Sequence, residues 1–275
     1  MRERVIADLR RAGCVYAEDE ADELLEVLRS RGLSAASARG RTAVEDYVRR
    51  RETGEPAEYI LGSAALAGIR VSVGRGVFIP RPWSADLVWR AAELLNAAGE
   101  GIGVDLGTGS GAIALAVAKR APRSRIWATE VNPDAVHWAE LNCAGREGLT
   151  VCRGDLYEAL PGSLRGHVDV IAGSLPYVPT SELAGLPRDH VGSEPVGAFD
   201  GGDEGLAVVG RAIAGAHDWL NPYGRILLEI GAGQGPRAAE IAAEAGLAEF
   251  VVHTGPEGGE LFLEAARELR EKRPT

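Results

Sequence analysis

Three stretches near the start of the chain repeat apolar residues at three- and four-residue spacing. Val5, Leu9 and Ala12 fall on one face of a first helix. Ala21, Leu24, Leu25 and Leu28 do so for a second, and Ala43, Tyr47 and Val48 for a third. "RSRGLS" and "TGEP" carry the glycine and proline punctuation between and after them. Residues 1–60 therefore read as a small helical domain, either a packing appendage or a module that docks a substrate or partner. Residues 61–80 change character: "IRVSVGRGVFIP" alternates apolar and polar residues around glycines, the pattern of a β-hairpin connector.

From residue 81 to 275, helical and extended patterns alternate. A helix over 84–97 precedes the strand "IGVDL". A glycine turn, a helix over 111–120 and the strand "RIWATE" follow, then a helix over 133–145 and the strands "LTVCR" and "VDVIAGS". A helix near 204–220 leads to "GRILLEIG", a helix over 235–246 and the closing strands "AEFVVHT" and "ELFLEAA". Strands separated by helices of this length predict a doubly wound α/β domain, with a mostly parallel sheet covered on both faces. The last two strands, split only by "GPEGG", predict a hairpin that adds an antiparallel edge strand.

The 275 residues are 45% hydrophobic and 25% charged, enough for one large or two modest domains. The formal net charge of −10 disfavours non-specific binding to phosphate backbones, so nucleic acid is an unlikely partner. Cys14, Cys143 and Cys152 are widely spaced and form no Cys-x-x-Cys pair, which points to reduced thiols in a cytoplasmic protein and to no metal site. His137, His167, His190, His217 and His253 are scattered and read as surface or capping residues. The charged N-terminus has no apolar signal core, and no apolar run is long enough to cross a bilayer.

The stretch "VDLGTGSGAIALAV" is a strand, a glycine turn and a helix start. Gly107, Gly109 and Gly111 remove side chains where the backbone bends and approaches a ligand, with Thr108 between them. Glu130 ends the next strand, 19 residues after Gly111, where a carboxylate accepts both ribose hydroxyl hydrogens; Val131 follows it. Asp155, with Leu156, follows the third strand and would meet an adenine amino group. Capping a helix is the plainer role for either acid. The same text satisfies the dinucleotide pattern G-x-G-x-x-A through Gly107, Gly109 and Ala112, so a nicotinamide cofactor competes. S-adenosylmethionine (SAM) is favoured by three features: Asp105, two residues before the first glycine, placed to orient the turn or reach the cofactor's amino-acid end; Asp155; and the closing hairpin.

Further along, "IAGSLPYVPT" ends a buried strand on Ser174, Leu175, Pro176 and Tyr177. This tetrapeptide completes an ordered series: "RRRETGEPAEYILG" (49–62), "GVFIPRP" (76–82), the glycine turn, "DVIAGSLPYVP", and "SEPVGAFDGGDEGL" (193–206). Over nearly the whole chain the series resembles the release-factor glutamine methyltransferase family. The resemblance implies a class I, Rossmann-like SAM-dependent methyltransferase domain behind a small N-terminal helical domain. It implies N-methylation of a glutamine side-chain amide in a protein such as a peptide chain release factor, with S-adenosylhomocysteine (SAH) as the second product.

In that family the tetrapeptide is Asn-Pro-Pro-Tyr. The Asn side chain and the next carbonyl hold the NH₂ group being methylated, the proline stiffens the loop, and the tyrosine ring packs on the amide. An amide nitrogen is a poor nucleophile. Acceptors aimed at its hydrogens direct its lone pair and favour the positive charge that develops on it. By this resemblance Ser174, Leu175, Pro176 and Tyr177 are the catalytic set, Ser174 also reaches the cofactor, and Ser174, Tyr177 and Glu194 contact the substrate; Trp83, an aromatic near the expected site, is a further candidate for substrate contact.

The chain departs from the family in three places. Ser174 and Leu175 replace Asn and Pro; a serine oxygen still accepts a hydrogen bond, and the Leu175 carbonyl survives. Trp83-Ser84-Ala85 stands where Glu/Asp-Thr-Glu is usual, and Glu260 where Arg is common. These changes suit an altered grip on a protein amide, or a small-molecule acceptor stacked on Trp83 and Tyr177. Plainer roles are core packing beside Leu87 for Trp83, loop anchoring for Tyr177 and turn capping for Ser174. Two further alternatives are a SAM-binding protein without catalysis and a DNA adenine methyltransferase, whose loop also tolerates a leading serine; the acidic charge stands against the latter.

Overall fold

The computed structural model describes residues 1–187, 192–256 and 258–267; His190 lies outside them. The chain divides into two compact units. One holds residues 1–63, 73–75 and 187–194, the other 64–72, 76–186 and 195–275.

In the first unit, α1 (Arg2–Arg11), α2 (Ala17–Ser30), α3 (Ala38–Glu52) and α4 (Ala57–Leu61) enclose one apolar cluster. Val5, Leu9, Ala21, Leu24, Leu28 and Tyr47 are buried in it. Leu25 is not, because Val27 rather than Leu25 shares the turn-to-turn stripe of Leu24 and Leu28. Ser37 caps α3 by accepting the Gly40 N–H, and Gly62, left-handed at φ 73°, ends α4. Inside the cluster Arg51 binds Glu20, which also accepts the Tyr47 hydroxyl.

In the second unit, β1 (Ser63–Leu66) and β2 (Ile69–Ser72) form a two-stranded sheet turned by Ala67 and Gly68, both at positive φ. The main sheet follows: α5 (Ser84–Ala98), β3 (Ile102–Leu106), α6 (Ala112–Arg120), β4 (Arg125–Glu130), α7 (Pro133–Cys143), β5 (Leu149–Arg153), β6 (Val168–Gly173), α8 (Ala207–Trp219), β7 (Leu220–Glu229), α9 (Gly235–Glu244), β8 (Leu247–Thr254) and β9 (Glu260–Arg267). The strand order is β5-β4-β3-β6-β7-β9-β8. The first five in that order run parallel, and β9 pairs antiparallel with both β7 and β8.

The closing hairpin thus differs from the sequence expectation. Its antiparallel strand is not at the edge: β9 inserts between β7 and β8, and β8 is outermost. The burial explains the order. Phe262, Leu263, Glu264, Ala265 and Ala266 of β9 are buried in succession, as a strand with neighbours on both sides requires, whereas β8 buries only Leu247.

The order also creates a switch point. After β3 the chain winds outward through β4 and β5, then returns to lay β6 against the other side of β3. Crevices for ligands open outside the carboxyl ends of strands at such a point. Here the ends are Leu106 and Gly173, so the glycine turn and the serine-led loop emerge side by side.

Candidate active site

Both segments line one cavity of about 530 Å³, within the range for small-molecule and cofactor sites. Gly107, Gly109 and Gly111 have φ of 63°, 56° and 81°, a region that side chains disfavour. Their surroundings differ. A Cβ on Gly107 would stand 2.7 Å from Leu175 Cδ2, and one on Gly111 2.8 Å from the buried Cys143 Sγ; above Gly109 there is open space. Gly111 therefore serves helix packing and does not line the cavity, while Gly107, Thr108 and Gly109 do.

Two carboxylates hold the turn. Asp105 is buried beneath it, outside the cavity lining. Its Oδ2 accepts the Thr108 hydroxyl at 2.6 Å and the Ala114 N–H at 3.0 Å. Of the two roles expected for it, the structure shows the one that orients the turn. Burial pushes its carboxyl up to about 7, and its Oδ1 has no hydrogen-bond partner among the described residues. Glu130 stands in the cavity wall. Its Oε2 accepts the Gly109 N–H at 2.9 Å and its Oε1 the Asn132 N–H at 2.8 Å, leaving further lone pairs on both oxygens. Val131 and Leu156 add apolar wall. Asp155 also lines the cavity; it caps nothing with its side chain and instead pairs with Arg211 of α8.

On the other side, Ser174, Leu175 and Pro176 line the cavity. The Leu175 side chain is buried against Gly107, which links the loop to the turn, and its carbonyl has no hydrogen-bond partner among the described residues. Ser174 is not a turn cap: its hydroxyl donates to Glu229 Oε2 at 2.7 Å. Tyr177 does not line the cavity. Its ring packs on the core of the sheet, and burial with the nearby Glu229 raises its hydroxyl to about 12. Trp83 is half exposed and also outside the lining, so it is neither core nor cavity wall. Glu194 is buried and counted with the first unit; the lining begins at Pro195.

Other residues, some inside motifs quoted above but given no site role there, also shape the site. Gln234 accepts the Gly231 N–H and donates to the carbonyls of Tyr177 (2.8 Å) and Glu204 (3.1 Å), which pins the loop from behind. Gly205, at φ 71°, lets the backbone approach the Tyr177 carbonyl, where a Cβ would come within 2.3 Å. Residues 199–202 run beside 178–180, so the "SEPVGAFDGGDEGL" segment braces the serine-led loop. Phe78 lines the cavity, held by Phe199 edge-on and by the Arg81 guanidinium over its ring. Glu260, the third departure from the family, accepts the Gly235 N–H at the start of α9 and is structural.

Comparison with known proteins agrees with this geometry. A family model described as "Methyltransferase small domain" matches residues 89–174. The release factor glutamine methyltransferase of Gloeobacter violaceus is 36% identical over 252 residues, 88% of this chain and 87% of that protein. The protein of the same name from Streptomyces coelicolor is 36% identical over 72% of this chain and 71% of its own length. Two solved structures share the fold at low identity. The hMettl16 catalytic domain, in complex with the MAT2A 3′UTR hairpin 6, has a TM-score of 0.57 at 15% identity, covering 84% of this chain and 81% of its own. The ribosomal protein L11 methylase of Lactobacillus delbrueckii subsp. bulgaricus has 0.51 at 18%, covering 70% and 82%.

Proposed function

The chain belongs to the release factor glutamine methyltransferase family, and from that membership we propose that this SAM-dependent methyltransferase acts on the side-chain amide of a glutamine in a peptide chain release factor. One observation carries the reading. The glycine turn after β3 and the serine-led loop after β6 open onto the same cavity, with Leu175 seated on Gly107. The metabolite, DNA and binding-only alternatives gain nothing from these relatives.

The cavity's donor and acceptor set suits SAM. The open space over Gly109 admits a ligand to the backbone, and Glu130 and Asp155 offer carboxylate oxygens to the hydrogens of a ribose and an adenine. Gly107, Thr108, Val131 and Leu156 complete that half. When bound, SAM supplies an electrophilic methyl group on a sulfonium.

The chain's own work is positional. Ser174 Oγ and the Leu175 carbonyl accept the two amide hydrogens, which turns the nitrogen lone pair toward the cofactor half of the cavity. Pro176 limits the loop's freedom, and Gln234 fixes its far end. Tyr177 anchors the loop to the core. Docking of the protein substrate is assigned to residues 1–60, whose apolar core gives the helices a rigid support.

Calorimetry and mass spectrometry test the reading. The protein is expected to bind SAH and to add one methyl to a glutamine of a purified release factor, with that factor protecting amides of residues 1–60 from hydrogen exchange. Absence of SAH binding would remove the enzyme reading, and SAH binding without methylation of the factor would remove the substrate.

A further inference from the structure

Glu229 ends β7 beside the end of β6, where Leu228 pairs with Gly173. It is 2% exposed. Its Oε2 takes the Ser174 hydroxyl at 2.7 Å, and its Oε1 has no hydrogen-bond partner among the described residues. The side chains of Ser84 and Trp83, like that of Ser174, favour its ionised form. A buried carboxylate with half its acceptors unmet is costly. The strand does not need it, because sheet pairing uses backbone groups. Among its side-chain partners is Ser174, the cavity-wall residue that stands in place of the family's asparagine.

The pairing has a chemical consequence. A hydroxyl has one hydrogen and two lone pairs. With that hydrogen committed to Glu229, Ser174 has only acceptor capacity left for a ligand. We propose that Glu229 makes Ser174 an obligate acceptor for an N–H of the methyl-accepting group and takes up, through Ser174, the proton the nitrogen must lose; the inference rests on the amide reading of the acceptor given above. Once the new N–C bond has formed, the nitrogen carries a positive charge and one proton too many. That proton passes to Ser174 Oγ as the Ser174 proton passes to Glu229 Oε2. The products are a neutral N-methyl amide, an intact hydroxyl and a neutral carboxyl, which returns its proton to water through Ser174 after the product leaves. Glu229 is thus a positioning residue that acts through Ser174.

The same geometry makes the grip depend on protonation. A neutral Glu229 donates its own hydrogen to Ser174, which frees the Ser174 hydrogen to face the ligand; Ser174 is then no longer an obligate acceptor, and Glu229 can take up no further proton. Burial raises this carboxyl above the usual range. The titratable and charged groups around it are Asp105 on β3 and Tyr177 on the loop, with Arg81 acting on Tyr177. Turnover therefore rises with pH as Glu229 ionises. An asparagine at 174 would escape this control, because its amide donates to Glu229 with NH₂ and keeps a separate oxygen for the ligand whatever the carboxyl's state.

The test uses the full chain with a purified release factor. In Glu229→Gln, kcat should fall about 10²-fold, with KM for the factor and SAH affinity unchanged and the acid limb of the pH profile gone. Ser174→Ala and the Ser174→Ala/Glu229→Gln double variant should be equally slow. Ser174→Asn should retain turnover and lose the acid limb, a readout that stands even if Glu229→Gln does not fold. An acid limb that persists in Glu229→Gln or Ser174→Asn would assign it to Asp105 and overturn the proposal, as would losses that multiply in the double variant. Infrared difference spectra between acid and neutral pH read the pair without turnover. A buried carboxyl band should vanish in Glu229→Gln and shift in Ser174→Ala; an unshifted band would refute the pairing. If wild type leaves the factor unmethylated, the acceptor reading fails while the infrared result still decides the pair.

Discussion

The two sides of the cavity are built on different principles. The cofactor side is a backbone device: three glycines at positive φ, with Asp105 and Glu130 accepting N–H and hydroxyl groups of the turn and the helix start. The acceptor side is a loop held from behind, by Gln234 on a carbonyl, Glu229 on a hydroxyl and Gly205 giving room. A backbone device tolerates little change, because the residue types are the geometry. A loop held from behind keeps its path while its front residues vary, so Ser174 and Leu175 at its front are open to exchange.

The sharpest test of that contrast is where the two sides touch. Gly107→Ala forces a side chain to φ 63° and against Leu175; unfolding by urea should show a loss of about 2–4 kcal/mol. Adding Leu175→Ala should relieve the contact and leave the backbone strain, so the double variant should lose less than the sum of the singles. Strict additivity would mean that the sides are independent.

Glu130→Ala should weaken SAH binding by about 1–3 kcal/mol in calorimetry, since it removes an acceptor that also holds the Gly109 turn. An unchanged affinity would take Glu130 out of the site. Gln234→Ala should do the reverse. It should cost about 1–2 kcal/mol of stability and lower kcat for the released loop, with SAH affinity intact. A matching loss of SAH affinity would show that the loop props up the cofactor side.

The last effect concerns pH. The Asp105 carboxyl is raised to about 7 when folded, so the folded state holds this proton more tightly than the unfolded one. The stability it contributes is complete below about pH 4 and declines as pH rises toward 7, by at most about 1.4 kcal/mol per pH unit. Asp105→Asn should flatten that decline in urea titrations; an unchanged slope would place the proton elsewhere.

Much of this was legible in the chain text. The alternation of helix and strand announced the sheet, and "VDLGTGSG" announced the turn, because glycine conformations and strand periodicity are local. The places of Glu130 at the end of β4 and Asp155 just past β5 were readable from the strand pattern, and both line the cavity. Gln234, Arg211 and Glu229 were not. Each lies 55–57 residues from its partner, and an ordinary acid at a strand end carries no sign of what it will face. Tyr177 by resemblance, and Trp83 as an aromatic gained nearby, were expected at the cavity; neither lines it.

The sequence by itself determined which elements form and where the backbone must bend, since propensity, capping and glycine freedom act over a few residues. Only the tertiary structure decided which strand lies beside β3, that β9 rather than β8 joins β7, and that a carboxylate on β7 meets the serine after β6. Those outcomes depend on which surfaces bury one another across tens to hundreds of residues, and no local pattern encodes that.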